Sequence, residues 1–272
     1  MEESAPGLSV QEATVRFGGI TALDGVSLEV GSGEVVGVIG PNGAGKTTLF
    51  NLICGFIRAD SGSLHWRGRP LASVRPDRLS RLGIARTLQG VGLFERLTVL
   101  ENVTAGAERF RRARLGSALL GLPTSDSDER ALRERARTAL HRVGCGDIEE
   151  RLPGTLPYAI QKRVALARAL VGEPELLLLD EPAGGLGADD LTELGELITS
   201  LGNTIAVMLV DHHMDLVTSV CHRIVVLDFG RVIASGTADE VRRDPRVLEA
   251  YLGREAQDDD EAVGSQVGDA GR

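Results

Sequence analysis

The chain has 272 residues, 42% of them hydrophobic, which suits one large domain or two closely joined subdomains. No apolar run approaches the roughly 18–20 residues that cross a bilayer. The short acidic start Met1–Gly7 is unlike a secretory signal, so the expectation is a soluble cytosolic chain that reaches a membrane only as a docked subunit. The formal charge is −9, and Arg254–Arg272 contributes six acids against two arginines, so the balance argues against a nucleic-acid partner held by phosphate neutralisation.

In chain order, Leu8–Val30 alternates and turns like a pair of antiparallel strands, with Phe17-Gly18-Gly19 as the turn. Val35–Ile39 is a short, wholly apolar run of the kind buried on both faces of a parallel sheet. Next come a glycine-rich loop from Gly40, a helix over Thr48–Cys54 and a short strand over Ser61–Gly68. Gly83–Leu88 reads as a further strand closed by Gln89. Asp128–Val143 has Leu132, Ala136, Leu140 and Val143 on one helical face, with Asp126 and Glu129 as start signals. Leu156-Pro157 leads into a helix from about Gln161 to Leu170. Leu176–Leu179 and Ile205–Val210 are two more apolar strands, and Arg254–Arg272 reads as a disordered tail. The fold class is therefore α/β: a parallel-sheet core over residues 8–253, an N-terminal antiparallel β subdomain, and a helical insert at about 90–160.

The three apolar strands each end in chemistry: Gly40 onward, Asp180-Glu181, and Asp211-His212. Ligands of open α/β sheets bind at the carboxyl ends of strands. Gly40-Pro41-Asn42-Gly43-Ala44-Gly45-Lys46-Thr47 satisfies G-x-x-x-x-G-K-[ST], the phosphate-binding loop of P-loop nucleotide-binding proteins. The glycines let backbone N–H groups curl around phosphates, and the helix opening near Lys46 presents its positive end. Lys46 is one of only two lysines, with Lys162, against 28 arginines. It reaches the β- and γ-phosphates of ATP, and the Thr47 hydroxyl is a ligand for Mg²⁺.

Asp180, at a strand end, suits a contact to Mg²⁺, while Glu181 points elsewhere and serves as general base towards the attacking water. Gln89 is placed to touch Mg²⁺ or that water, and His212 to contact a γ-phosphate; only position separates His212 from its neighbour His213. Cys54, Cys145 and Cys221 form no C-x-x-C pair and read as free thiols. Arg109, Arg111, Arg112 and Arg114, followed by Leu115–Leu122, read as a solvated basic face, with a lipid or membrane-partner contact as the alternative.

Taken together, these residues resemble the ATPase subunits of ABC transporters, over about Leu8–Gly253. Within that family the chain is most similar to the ATP-binding subunit of branched-chain amino-acid importers. Val15–Leu23, Gly83–Gln89 and the ending Ala250-Tyr251-Leu252-Gly253 carry that narrower likeness. The resemblance implies that adenine stacks on Phe17, that Gln89 senses the γ-phosphate, and that Val91–Phe94 helps form a groove for a permease helix. It implies that His212 steadies the γ-phosphate and attacking water. Implied partners are transmembrane permease subunits, a second ATPase subunit and, indirectly, a solute-binding protein; implied cofactors are ATP and Mg²⁺. A lipid or lipopolysaccharide exporter ATPase, and a non-transport assembly switch driven by ATP, stand as alternatives.

The departures from the family pattern are concentrated in one place. Where relatives most often read Leu-Ser-Gly-Gly-Gln, a signature that binds the opposite subunit's γ-phosphate, this chain has Leu156-Pro157-Tyr158-Ala159-Ile160-Gln161. Pro157 removes a hydroxyl, although proline suits a first helical turn, and Ala159 adds a β-carbon where backbone should approach phosphate. Gly187 stands where many relatives carry an aspartate. The asymmetry favours pairing with a different ATPase subunit over a homodimer.

Overall fold

The computed structural model describes residues 7–71, 75–87, 90–111 and 123–251. The chain begins with β1 (Leu8–Phe17), β2 (Ile20–Val30), β3 (Val35–Ile39), α1 (Lys46–Ile53), β4 (Ser61–Trp66) and β5 (Arg69–Pro70). A 3₁₀ turn at Pro76–Leu82 precedes β6 (Ile84–Arg86), α2 (Val99–Gly106), α3 (Pro123–Arg142), α4 (Tyr158–Leu170) and β7 (Leu176–Asp180). Then follow α5 (Ala188–Gly202), β8 (Ala206–Val210), α6 (Met214–Val220), β9 (Arg223–Asp228), β10 (Arg231–Gly236) and α7 (Ala238–Arg243). Residues 245–251 are also helical. These elements fall into two compact units, Met1–Gly31 with Val36–Ser73 and Cys221–Arg272, and Ser32–Val35 with Val74–Val220.

In the first unit, β1 pairs antiparallel with β2 from Leu8↔Val30 to Phe17↔Ile20, and its other edge pairs with β4. Val10, Ala13 and Val15 face the same core as Leu23, Val26 and Leu28. Strict alternation breaks at a bulge around Glu12, whose φ of 49° lies in the left-handed region. The Gly18 turn leaves Phe17 exposed, at 52%. All five residues of β3 are buried, and it runs parallel to β9, which turns through Phe229-Gly230 into antiparallel β10. The expected antiparallel N-terminal strands and the first apolar strand are present within a residue or two of their predicted bounds.

In the second unit, β6, β7 and β8 are parallel, with Ile84↔Leu176 at one end and Asp180↔Val210 at the other. Both β7 and β8 are buried along their whole length, which is why their sequences carry no polar alternation. Leu132, Ala136, Leu140 and Val143 form the buried face expected of α3 and its end. α2 opens on a capping box: Thr98 Oγ1 accepts from the Glu101 N–H at 3.2 Å, and Glu101 Oε2 accepts from the Thr98 N–H at 2.8 Å. A β-carbon at Gly106 would collide with the Arg168 carbonyl and lie 2.8 Å from Val171 Cγ1, so this glycine sets how closely α2 approaches α4.

Two expectations are corrected here. α4 begins at Tyr158, three residues before the predicted start, and Pro157 sits outside it as the N-cap at φ −53°, ψ 148°. A proline holds that entry geometry and has no N–H to leave unmatched. Arg109 is also not a solvated charge: its guanidinium donates to the Gly172 carbonyl at 2.8 Å and lies 4.9 Å from the Phe110 ring centroid. Arg111 pairs with Glu108. Arg112, Arg114 and Leu115–Leu122 lie outside the described residues, as does the tail Arg254–Arg272.

Among the described residues no helix is long and apolar enough to cross a membrane. Cys54 and Cys145 are buried, and burial pushes the Cys221 thiol up to about 12.

Asn102, fully buried on α2, organises the segment ahead of its helix. Its Oδ1 accepts from the Phe94 N–H at 2.7 Å, and its Nδ2 donates to the carbonyls of Phe94, Leu97 and Thr98, each at 3.0 Å. Arg168 adds a bond to the Gly92 carbonyl at 2.7 Å. With that backbone fixed, Phe94 stands 55% exposed. Asn102→Leu keeps the volume but strands buried polar groups, and it should destabilise the chain by about 2–3 kcal/mol in urea unfolding. A loss under about 0.5 kcal/mol would mean that water replaces these bonds.

Candidate active site

The phosphate-loop motif lies in the first unit, between the end of β3 and the start of α1. Gly40 has φ 148°, and a β-carbon there would collide with the Leu227 carbonyl. Gly45 has φ 105°, and its β-carbon would stand 2.6 Å from the Ala22 carbonyl oxygen. Both positions therefore require glycine for φ and for space. Ala44, fully buried, donates to the Pro41 carbonyl at 3.2 Å and accepts from the Gly230 N–H at 3.0 Å, which pins the middle of the loop. Asn42 and Gly43 are exposed at its tip.

Lys46 Nζ folds across its own loop, donating to the carbonyls of Gly40 at 2.6 Å and Pro41 at 2.8 Å. α1 has no acid in its first turn and no side-chain cap, so its N-terminal N–H groups keep their affinity for an anion. Thr47 is exposed in that first turn, with Thr48 half-buried behind it. Tyr251 also reaches this loop. Burial pushes the Tyr251 phenol up, while a hydrogen bond with the Gly40 backbone pulls against that shift.

A second cluster of polar residues lies in the second unit, where β7 and β8 end side by side. Asp180 is buried, and its Oδ2 accepts from Arg86 at 2.6 Å; the two side chains are 9% and 12% exposed. Glu181, one residue on, has φ 48°, a left-handed conformation that is costly for a residue with a β-carbon. Its N–H donates to the Val210 carbonyl at 2.8 Å, tying it to the end of β8.

Asp211, 1% exposed, is the hub beside it. Oδ2 accepts from the Ala183 N–H at 2.8 Å. Oδ1 accepts from the N–H groups of His212 at 2.8 Å and His213 at 3.0 Å, and meets His213 Nδ1 at 2.8 Å. The His213 ring is thereby committed to the fold, while the His212 side chain stands 66% exposed. This separates two histidines that are equivalent in sequence. Gln89 lies outside the described residues.

The segment Leu156–Gln161 forms the mouth of α4. Leu156 is buried, and Gln161 Nε2 folds back to donate to its carbonyl at 2.9 Å. Pro157 offers no N–H, Tyr158 is 43% exposed with its ring against Gly185, and Ala159 and Ile160 are half-buried. Gly187 serves as the N-cap of α5 without a side chain to bond.

Sequence reasoning gave no role to Arg86, to Asp211 at its strand end, or to the second lysine. Lys162 Nζ donates to the carbonyls of Glu181 at 3.1 Å and Pro182 at 2.8 Å. The rarity of lysine in this chain was the one available signal.

Comparison with known proteins places the chain among its relatives. A family model described as ABC transporter matches residues 23–184, and one described as branched-chain amino acid ATP-binding cassette transporter matches 231–257. The high-affinity branched-chain amino acid transport ATP-binding protein LivG of Salmonella typhimurium is 40% identical over 252 residues, covering 92% of this chain and 99% of that protein. Its counterpart BraF of Pseudomonas aeruginosa is 38% identical with the same coverage. Among solved structures, the ADP conformation of an ATP-binding cassette of an ABC transporter aligns with a TM-score of 0.79 at 30% identity, over 91% of this chain and 99% of that one.

Proposed function

Because the chain belongs to the ATPase subunits of ABC transporters, we propose that it couples ATP binding and hydrolysis to the uptake of branched-chain or other hydrophobic amino acids. The observation that carries the hydrolytic part is the strained Glu181 next to a buried Asp180, on a β7 end bonded to the end of β8. The uptake part draws on the likeness to LivG and BraF along the whole domain and on the match at 231–257, which includes Tyr251.

In this scheme Phe17 stacks on adenine. The amides of Gly40–Thr48 and the Lys46 ammonium neutralise the phosphates, and Glu181 takes up the proton of the attacking water. His212 steadies the γ-phosphate, and Gln89 senses it. The Thr47 hydroxyl and the Asp180 carboxylate are each hard oxygen donors of the kind Mg²⁺ takes, and in this reading they would hold that ion with Gln89. Mg²⁺ supplies charge neutralisation on the phosphate oxygens when bound.

The second ATPase subunit is a different chain. Pro157 gives α4 neither a hydroxyl nor an N–H at the position where a serine serves relatives, so a partner with a fuller signature supports the stronger site. Val91–Phe94, held by Asn102 and Arg168 with Phe94 exposed, offers the surface for a permease helix on the cytoplasmic face of the membrane. Deleting the gene should abolish high-affinity uptake of labelled leucine, isoleucine and valine. Unchanged uptake, with a defect in lipid or lipopolysaccharide export instead, would replace this assignment with the exporter one. For the pairing, a homodimer of the purified chain with full ATPase activity at both sites would refute the heterodimer.

A further inference from the structure

We infer that Lys162 is a positioning residue for hydrolysis: from the second turn of α4 it holds the backbone on which the Glu181 carboxylate stands. This rests on Glu181 being the general base. The peptide run from Glu181 to Gly184 is gripped from two sides. Its N–H groups are taken towards β8, Glu181 by the Val210 carbonyl and Ala183 by the Asp211 carboxylate, both at 2.8 Å. Its carbonyls are taken from α4, where Lys162 Nζ bonds Glu181 O at 3.1 Å and Pro182 O at 2.8 Å. Between these grips Glu181 keeps φ 48°, a conformation that persists in a residue with a side chain only where the surroundings over-determine it.

The choice of a lysine supports this assignment. Burial pushes the Lys162 ammonium below the ordinary lysine range, with the negative charges of Asp211 and Glu181 pulling it back up. Even a half-buried cation is costly, and an apolar residue of similar length would fill the space more cheaply. What a cationic head supplies and an apolar side chain cannot is donors to two neighbouring carbonyls at once, here from a flexible stem that ends 5.5 Å from the Tyr158 ring centroid. The same helix opens on Leu156–Gln161. The grip therefore ties the position of the base to the segment that faces the partner's nucleotide in the proposed dimer.

The test uses the full chain, alone for amide exchange and co-expressed with its permeases and second ATPase subunit for turnover. Lys162→Met is expected to lower kcat for ATP by about tenfold or more with KM unchanged. It should also speed amide exchange at 181–185 by about tenfold while leaving 206–210 as in the wild type. Lys162→Arg, which still reaches both carbonyls, should recover most of both. If Lys162→Met does not fold, Lys162→Gln is read by the same assays, with the same expected direction. Wild-type turnover, a loss carried wholly by KM, or unchanged exchange at 181–185 would each overturn the inference. Glu181→Gln measured alongside separates the two claims. If that variant turns over normally, the base assignment fails, while the exchange readout still reports whether Lys162 holds this segment.

Discussion

Replacing Glu181 with Gln is expected to lower ATP turnover by about two to three orders of magnitude while leaving ATP affinity unchanged. The substitution keeps the side chain's length and shape and removes its negative charge, and with it the ability to accept a proton. The backbone of residue 181 is held by its N–H on Val210 and by its carbonyl, which accepts from Lys162 and the Gly184 N–H. The left-handed φ of 48° and its restraints therefore survive the change. Thermal unfolding should accordingly stay within about 2 °C of the wild type. The loss belongs to kcat, because the phosphate cradle of Gly40–Thr48 is untouched. Phosphate release under saturating ATP, paired with equilibrium binding of a fluorescent ATP analogue, measures the two effects separately. Turnover within threefold of the wild type would remove Glu181 from the role of base, whatever the binding result.

The parts of this site that were legible in the sequence are those whose cause is local. β3, β7 and β8 were readable because strands buried on both faces leave continuous apolar runs, and the loop Gly40–Thr47 because its glycines are demanded by φ and by close backbone contact. The start of α4 was misplaced by three residues, because proline as an N-cap leaves no polar capping signal to read. The rest depends on partners far along the chain. Arg86 meets Asp180 across 94 positions, and Asp211 bonds Ala183 across 28. Lys162 bonds carbonyls, so the residue types it meets are invisible from its own position. Asp211 also shows why His212 and His213 were inseparable in sequence: the choice is made by which ring the carboxylate captures, and that geometry exists only once β8 has ended beside Ala183.

Asp180 and Arg86 should respond asymmetrically to mutation, and the difference reports whether the carboxylate serves magnesium. The pair is almost buried, at 2.6 Å. Asp180→Ala leaves a guanidinium inside the unit without its carboxylate, a loss of about 3 kcal/mol or more. For a domain of this size that lowers Tm by roughly 6–12 °C. Arg86→Met strands the carboxylate instead, and a comparable loss follows without ligand. The two variants then diverge. In Arg86→Met the Asp180 carboxylate remains for a divalent cation, so millimolar MgATP should recover several degrees of Tm by mass action. In Asp180→Ala one of the proposed magnesium donors is gone, so MgATP should recover far less, and ATP with excess EDTA should do as well as MgATP. Thermal scans of both variants with no ligand, with ATP plus EDTA, and with MgATP give the comparison. Equal recovery of the two variants by MgATP would show that Asp180 acts through Arg86 as a structural ion pair and contributes no ligand to magnesium.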